Sequence, residues 1–134
     1  MASVTNKTFH LSNSLMRYLY INAAKLELRD EAKLSLARMQ ELVGGYLEEI
    51  WSTPISFTRP RLTVLDNEEG LLKNLPPNVR FPKVYSHGNV LRGPVVIMAV
   101  DPEGEQTDLS DDQLARVTIL APNGDYPTLN IRED

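Results

Sequence analysis

The residues best equipped for chemistry lie between 80 and 92. Arg80, Lys83 and Arg92 carry positive charge that can meet phosphates or carboxylates, and Phe81, Tyr85 and His87 offer rings that can stack on bases. Arg80, Lys83, Tyr85, His87 and Arg92 are therefore the candidate ligand- or partner-binding residues. A plainer reading stands beside this one. Phe81 and Tyr85 would fill the edge of the core, and the cations would balance the acids that follow, since exposed charge pairing demands little precision.

Other constellations point to architecture more than to catalysis. Gly44-Gly45 has neither dinucleotide-binding nor P-loop spacing, and it follows a predicted helix where phosphate cradles precede one. It reads as a helix stop. Asn67-Glu68-Glu69-Gly70 could offer adjacent carboxylates to a hard cation, but the same residues are turn formers whose side chains diverge into solvent. Asp101-x-Glu103-x-Glu105 lacks the glycine and the closing glutamate of a calcium loop and reads as a solvated acidic turn. His10 and His87, the two histidines, sit in no zinc or Ser-His-Asp motif. The expectation is no catalytic residues, no metal and no cofactor. A hydrolase built on the clustered carboxylates is the minor alternative.

Composition narrows the classes further. With 134 residues, one domain is expected, large enough to fold without disulfides or a structural metal. No cysteine is present, which removes thiolate zinc sites, iron–sulfur clusters and cysteine nucleophiles. The longest apolar run, Val95–Val100, is far short of the roughly 20 residues of a membrane-spanning helix. Arg17 interrupts the one apolar stretch near the N-terminus, so no signal peptide is read. The expected location is the cytoplasm, with no membrane contact. The net charge of −4 is too mild for an acidic DNA mimic and has the wrong sign for a generally basic nucleic-acid binder. Its distribution is more informative. Lys73, Arg80, Lys83 and Arg92 are the charged residues of 70–100, whereas 101–112 carries Asp101, Glu103, Glu105, Asp108, Asp111 and Asp112. Such opposed blocks also allow charge-driven homo-oligomers.

These residues need a scaffold. Arg17–Asn22 has strand-forming residues, and Lys25–Arg29 alternates apolar and charged, so the two predict a hairpin. Asp30 is positioned to cap a helix over about 31–43, with Ala32, Leu36, Met39 and Val43 on one stripe. Strands follow at Tyr46–Trp51 and around Leu62–Leu65, with a short return at Leu71–Leu75. Pro76-Pro77-Asn78 then opens a long irregular loop over 79–92. Pro94–Val100 is the expected central strand. Ser110 and Gln113 have capping-box spacing for a short helix over about 111–118. The fold class is α+β, a small mixed and mainly antiparallel sheet with those two helices. Its parts are an N-terminal extension over 1–15, a domain over 16–120 and an extended tail over 121–134.

Five segments carry a family resemblance. Gln40-Glu41-Leu42-Val43-Gly44-Gly45-Tyr46-Leu47-Glu48 is followed by Asp66-Asn67-Glu68-Glu69-Gly70. The Leu-Pro stretch Leu75–Asn78 comes next, then Arg92-Gly93-Pro94-Val95-Val96-Ile97, with Leu109-Ser110-Asp111-Asp112-Gln113-Leu114 downstream. Order and spacing resemble a family found in phages, large DNA viruses and bacteria and known as domain of unknown function 3846, over residues 17–120. The resemblance implies a viral or mobile-element accessory protein and brings no catalytic residues. The expected function is a non-enzymatic interaction protein acting on a host or viral protein in the host-cell cytoplasm. The alternative is nucleic-acid or nucleotide binding through the basic, aromatic loop.

Overall fold

Six short apolar or alternating segments assemble into one antiparallel sheet. In a computed structural model, residues 15–22, 25–53, 59–70, 73–78, 91–120 and 128–131 are described. The strands are β1 (Met16–Ile21), β2 (Leu26–Glu31), β3 (Leu47–Ser52), β4 (Arg61–Asn67), β5 (Val95–Val100) and β6 (Gln106–Thr107). The sheet order is β2-β1-β5-β4-β3, and β6 pairs with the far end of β5. Every pairing in it is antiparallel. A separate hairpin joins β7 (Val117–Leu120) to β8 (Thr128–Ile131), so part of the expected extended tail forms a strand.

β5 holds the centre because it has no polar side chain to expose. All six of its residues are buried, and its alternation feeds two cores. Val96, Met98 and Val100 join Tyr18, Leu65 and the helix α1 (Leu36–Val43) on one face. Val95, Ile97 and Ala99 join Leu19, Ile21, Leu62, Val64, Leu91 and Leu109 on the other. The second helix, α2 (Asp111–Ala115), borders that second core through Leu114.

α1 ends and α2 begins as their residue types dictate, but α1 begins later, and α2 ends earlier, than the spacing predicts. Ser35, not Asp30, is its N-cap, with its hydroxyl accepting from Arg38 N. Asp30 and Glu31 instead extend β2, opposite Arg17 and Met16. Tertiary partners decide this. Glu31 accepts from the Tyr18 hydroxyl and from both the Nε and Nη2 of Arg38, the latter two at 2.9 Å each. The helix stripe shifts accordingly: Leu42 and Val43 are buried, whereas Leu36 is exposed. Gly44 ends the helix at φ +83°, where its N–H returns to Gln40 O, so the stop at Gly-Gly is as read. At α2 the full Ser110–Gln113 capping box forms. Arg116 caps the C-terminal end of α2, whereas the spacing predicted helix to about 118, and the chain turns directly into β7. Among the described residues, no helix is long and apolar enough to cross a membrane.

Candidate functional site

Four of the five segments that carried the family resemblance converge. Gly45 lies so close to β4 that a Cβ there would stand 2.9 Å from Asn67 Nδ2 and 3.3 Å from Lys73 Nζ. Asn67 is buried, donates to Val43 O at 3.2 Å and accepts from Glu69 N at 2.8 Å. One side chain thus ties the end of α1 to the turn after β4. That turn is closed by Gly70 N donating to Asn67 O at 3.1 Å. Residues 73–74 continue as turn, where a short strand over Leu71–Leu75 was expected, and Asn74 adopts φ +52°.

The turn then meets the chain that returns to β5. A Cβ on Gly70 would lie 2.4 Å from Arg92 O, and one on Gly93 would lie 2.8 Å from Leu75 Cδ1. Gly70 allows the two stretches of backbone to come this close, and Gly93 takes φ +93°, a conformation that favours glycine. Gly93 N donates to Pro76 O at 2.9 Å, Pro77 and Arg92 form a bridge, and Asn78 N donates to Leu91 O at 2.8 Å. Asn78 is fully buried, with its amide donating to Ile21 O at 3.2 Å and Gly93 O at 3.1 Å. The two ends of segment 79–90 are therefore pinned together and bolted to the end of β1.

Of the candidate binding residues, Arg92 sits in this clamp. Its Nη1 donates to Leu75 O at 3.1 Å and reaches Asn74 Oδ1 at 3.4 Å, so it braces the turn. Arg80, Lys83, Tyr85 and His87 lie outside the described residues. The plainer reading paired these cations with the acids of 101–112. Among the described residues, four of those acids have cation partners. Asp108 and Asp111 take Arg17 at 2.8 and 2.7 Å, Glu105 takes Lys33, and Asp112 takes Arg116 at 3.6 Å. Arg17 holds the Asp108 carboxyl below the usual range. Asp101 accepts from Glu103 N and Glu105 N, closing its own turn. Lys73, the other described cation of the basic block, pairs with Glu69 at 3.3 Å.

The most perturbed acid was missed in the sequence. Asp66 pairs across the sheet with Glu48, on the face opposite α1. It is only 6% exposed, and its Oδ1 has no hydrogen-bond partner among the described residues. Burial is the main cause that pushes its carboxyl up to about 8; repulsion from Glu48, hydrogen bonding to Glu48 and repulsion from Glu68 add to it. The fold thus favours the protonated form of Asp66. Finding it needed the register of β3 on β4, which shifts between Glu49 and Trp51. Among the described residues, no three or more His, Asp or Glu side chains gather to hold a metal ion. Glu68 and Glu69 occupy the turn, as the turn chemistry of Asn67-Glu68-Glu69-Gly70 predicts.

A comparison with protein families matches residues 16–121 to the family described as Domain of unknown function (DUF3846). Comparison with curated proteins gives no match, and neither does comparison with solved structures.

Proposed function

We propose that this chain, which belongs to the DUF3846 family, is a non-enzymatic interaction protein of viral or mobile-element origin that grips a host or viral protein through segment 79–90. One observation carries the reading. Asn78 and Leu91 are held 2.8 Å apart, N to O, by a clamp drawn from the Gly-Gly, Asn-Glu-Glu-Gly, Leu-Pro-Pro-Asn and Arg-Gly-Pro segments. A rigid base under a loop is the arrangement by which scaffolds present contact residues. The presented sequence holds Arg80, Phe81, Lys83, Tyr85 and His87, a mixture of rings and cations suited to a protein surface.

A second reading, binding of nucleic acid or a nucleotide, draws support from the charge partners. Among the described residues, Glu105, Asp108, Asp111 and Asp112 already have cation partners in Lys33, Arg17 and Arg116, which supports a basic block with charge to spare. The two readings separate in one set of measurements. Captures from lysate of the host cell are compared between the wild-type chain and one whose residues 79–90 are replaced by Gly and Ser at equal length. The protein reading expects a capture that the replacement and Arg80→Ala/Lys83→Ala both abolish; no segment-dependent capture refutes it. The nucleic-acid reading expects a labelled oligonucleotide or a nucleotide to bind at low salt, with a salt slope reduced by the same double substitution. No binding across that panel refutes it.

A further inference from the structure

The sheet has two edges, and they differ in kind. β3 carries a register shift between Glu49 and Trp51 and adjacent acids at Glu48 and Glu49. Bulges and like charges are devices that blunt an edge. β2 has neither. It pairs with β1 in unbroken register from Leu26↔Ile21 to Glu31↔Met16, and among the described residues β1 is its sole neighbour. Leu28, at its middle, is 53% exposed.

On one face of β2, counting Lys25 just before it, the charges alternate, while Asp30 lies on the other face. Lys25, Glu27, Arg29 and Glu31 share one face, in the order plus, minus, plus, minus. An antiparallel copy of such a strand is complementary to it in particular registers. With Leu28 opposite Leu28 of the second copy, Lys25 falls opposite Glu31, Glu27 opposite Arg29, and Leu26 opposite Asp30. A slip of two residues places Glu27 opposite Glu31 or Lys25 opposite Arg29, and like charges face each other. A slip of one residue moves the charged row to the other face. The pattern therefore selects one register with full overlap.

The backbone agrees with that register. Asn22 N donates to Lys25 O at 2.9 Å, so the odd-numbered residues of β2 turn their polar groups toward β1. Antiparallel alternation then points the N–H and C=O of Leu26, Leu28 and Asp30 outward. In the Leu28-centred register these even positions meet even positions, so each outward donor meets an acceptor. The charged pairs fall at the intervening sites, where facing side chains are closest.

We propose that β2 is a self-pairing edge: two copies of this chain join antiparallel about Leu28, extending the sheet across a two-fold axis with Glu27 of each copy against Arg29 of the other. Joining exchanges the Arg29–Glu27 pair within each copy for two such pairs across the join. Arg29 stacks over Tyr20, 4.2 Å from the ring centre, and pairs with Glu27 of its own strand at 2.7 Å.

Sedimentation of the full chain from about 1 µM to about 500 µM is the test, this range covering an interface of modest area. The wild type is expected to shift from 15.1 kDa to twice that mass. Glu27→Lys sets a new cation of one copy against Arg29 of the other, and Arg29→Glu sets two carboxylates together. Each alone is expected to weaken the dimer at least about tenfold, the effect of about 1.4 kcal/mol. An equimolar mixture of the two variants restores opposite charges across the join and is expected to dimerise within about threefold of the wild type. A merely misfolded variant cannot be rescued in this way. A wild type that stays monomeric throughout, a dimer indifferent to both substitutions, or a mixture that remains monomeric would each overturn the proposal.

Discussion

Asp66→Asn offers the sharpest test of the electrostatics. The folded protein holds a proton on Asp66 up to about pH 8, whereas an unfolded aspartate loses it near pH 4. Between those values the native state binds more protons than the unfolded state, so stability falls as pH rises through this window. The slope reaches at most about 1.4 kcal/mol per pH unit for one proton. From pH 5 to pH 8 the loss is therefore up to about 4 kcal/mol. Asparagine keeps the shape, never ionises, and retains an N–H that can donate to Glu48 as the protonated acid does. The variant should lie within about 1 kcal/mol of wild type at pH 5 and exceed it by about 2–4 kcal/mol at pH 8.5. Urea denaturation of both proteins at half-unit pH steps measures the difference. The histidines are common to both chains and cancel. Parallel pH profiles, or an asparagine variant weaker at every pH, would refute a neutral buried Asp66.

Three further outcomes follow from the same geometry. Gly70→Ala should destabilise more than Gly45→Ala, because its Cβ would meet the Arg92 carbonyl at 2.4 Å, while that of Gly45 meets the ends of the Asn67 and Lys73 side chains; thermal melts should separate them by about 1–3 kcal/mol. Asn78→Ala should cost about 2–4 kcal/mol in urea denaturation, since it strands the Ile21 and Gly93 carbonyls and opens a cavity. Asp108→Asn should weaken the native state at neutral pH but lose that deficit in acid. The folded Asp108 carboxyl sits below its unfolded value, so its contribution is present above about pH 4 and disappears as pH falls through the folded value. Acid titration of fluorescence for both proteins checks the sign.

How far the fold was legible depended on how local its causes are. β5 could be read because every residue of Val95–Val100 is apolar, the run is short and rich in β-branched residues, and Pro94 stands at its start. The α1 stop and the α2 start were readable because Gly44 and the Ser110–Gln113 box act within one helical turn. The α1 start was not. Asp30 is a sound cap by type, yet Arg17 lies opposite it on β1, and Glu31 is taken by Tyr18 and Arg38. A local preference worth about 1 kcal/mol yields to a strand pairing and a partly buried charge network.

The site divides along the same line. Gly-Gly and Asn-Glu-Glu-Gly were readable separately as a helix stop and a turn, but each glycine's neighbour is distant in sequence. Gly45 is shaped by Asn67 and Lys73, and Gly70 by Arg92. A motif scan sees such glycines as punctuation, whereas their positions record where two pieces of chain must touch. The consequence reaches Arg92. Its charge type marked it as a binding residue, yet its Nη1 braces the Leu75 carbonyl from inside the clamp. Substituting Arg92 would loosen the base of segment 79–90, so lost binding in such a variant would not identify a contact. Arg80 and Lys83 are the informative positions, because they belong to segment 79–90 itself and not to the residues that pin its ends.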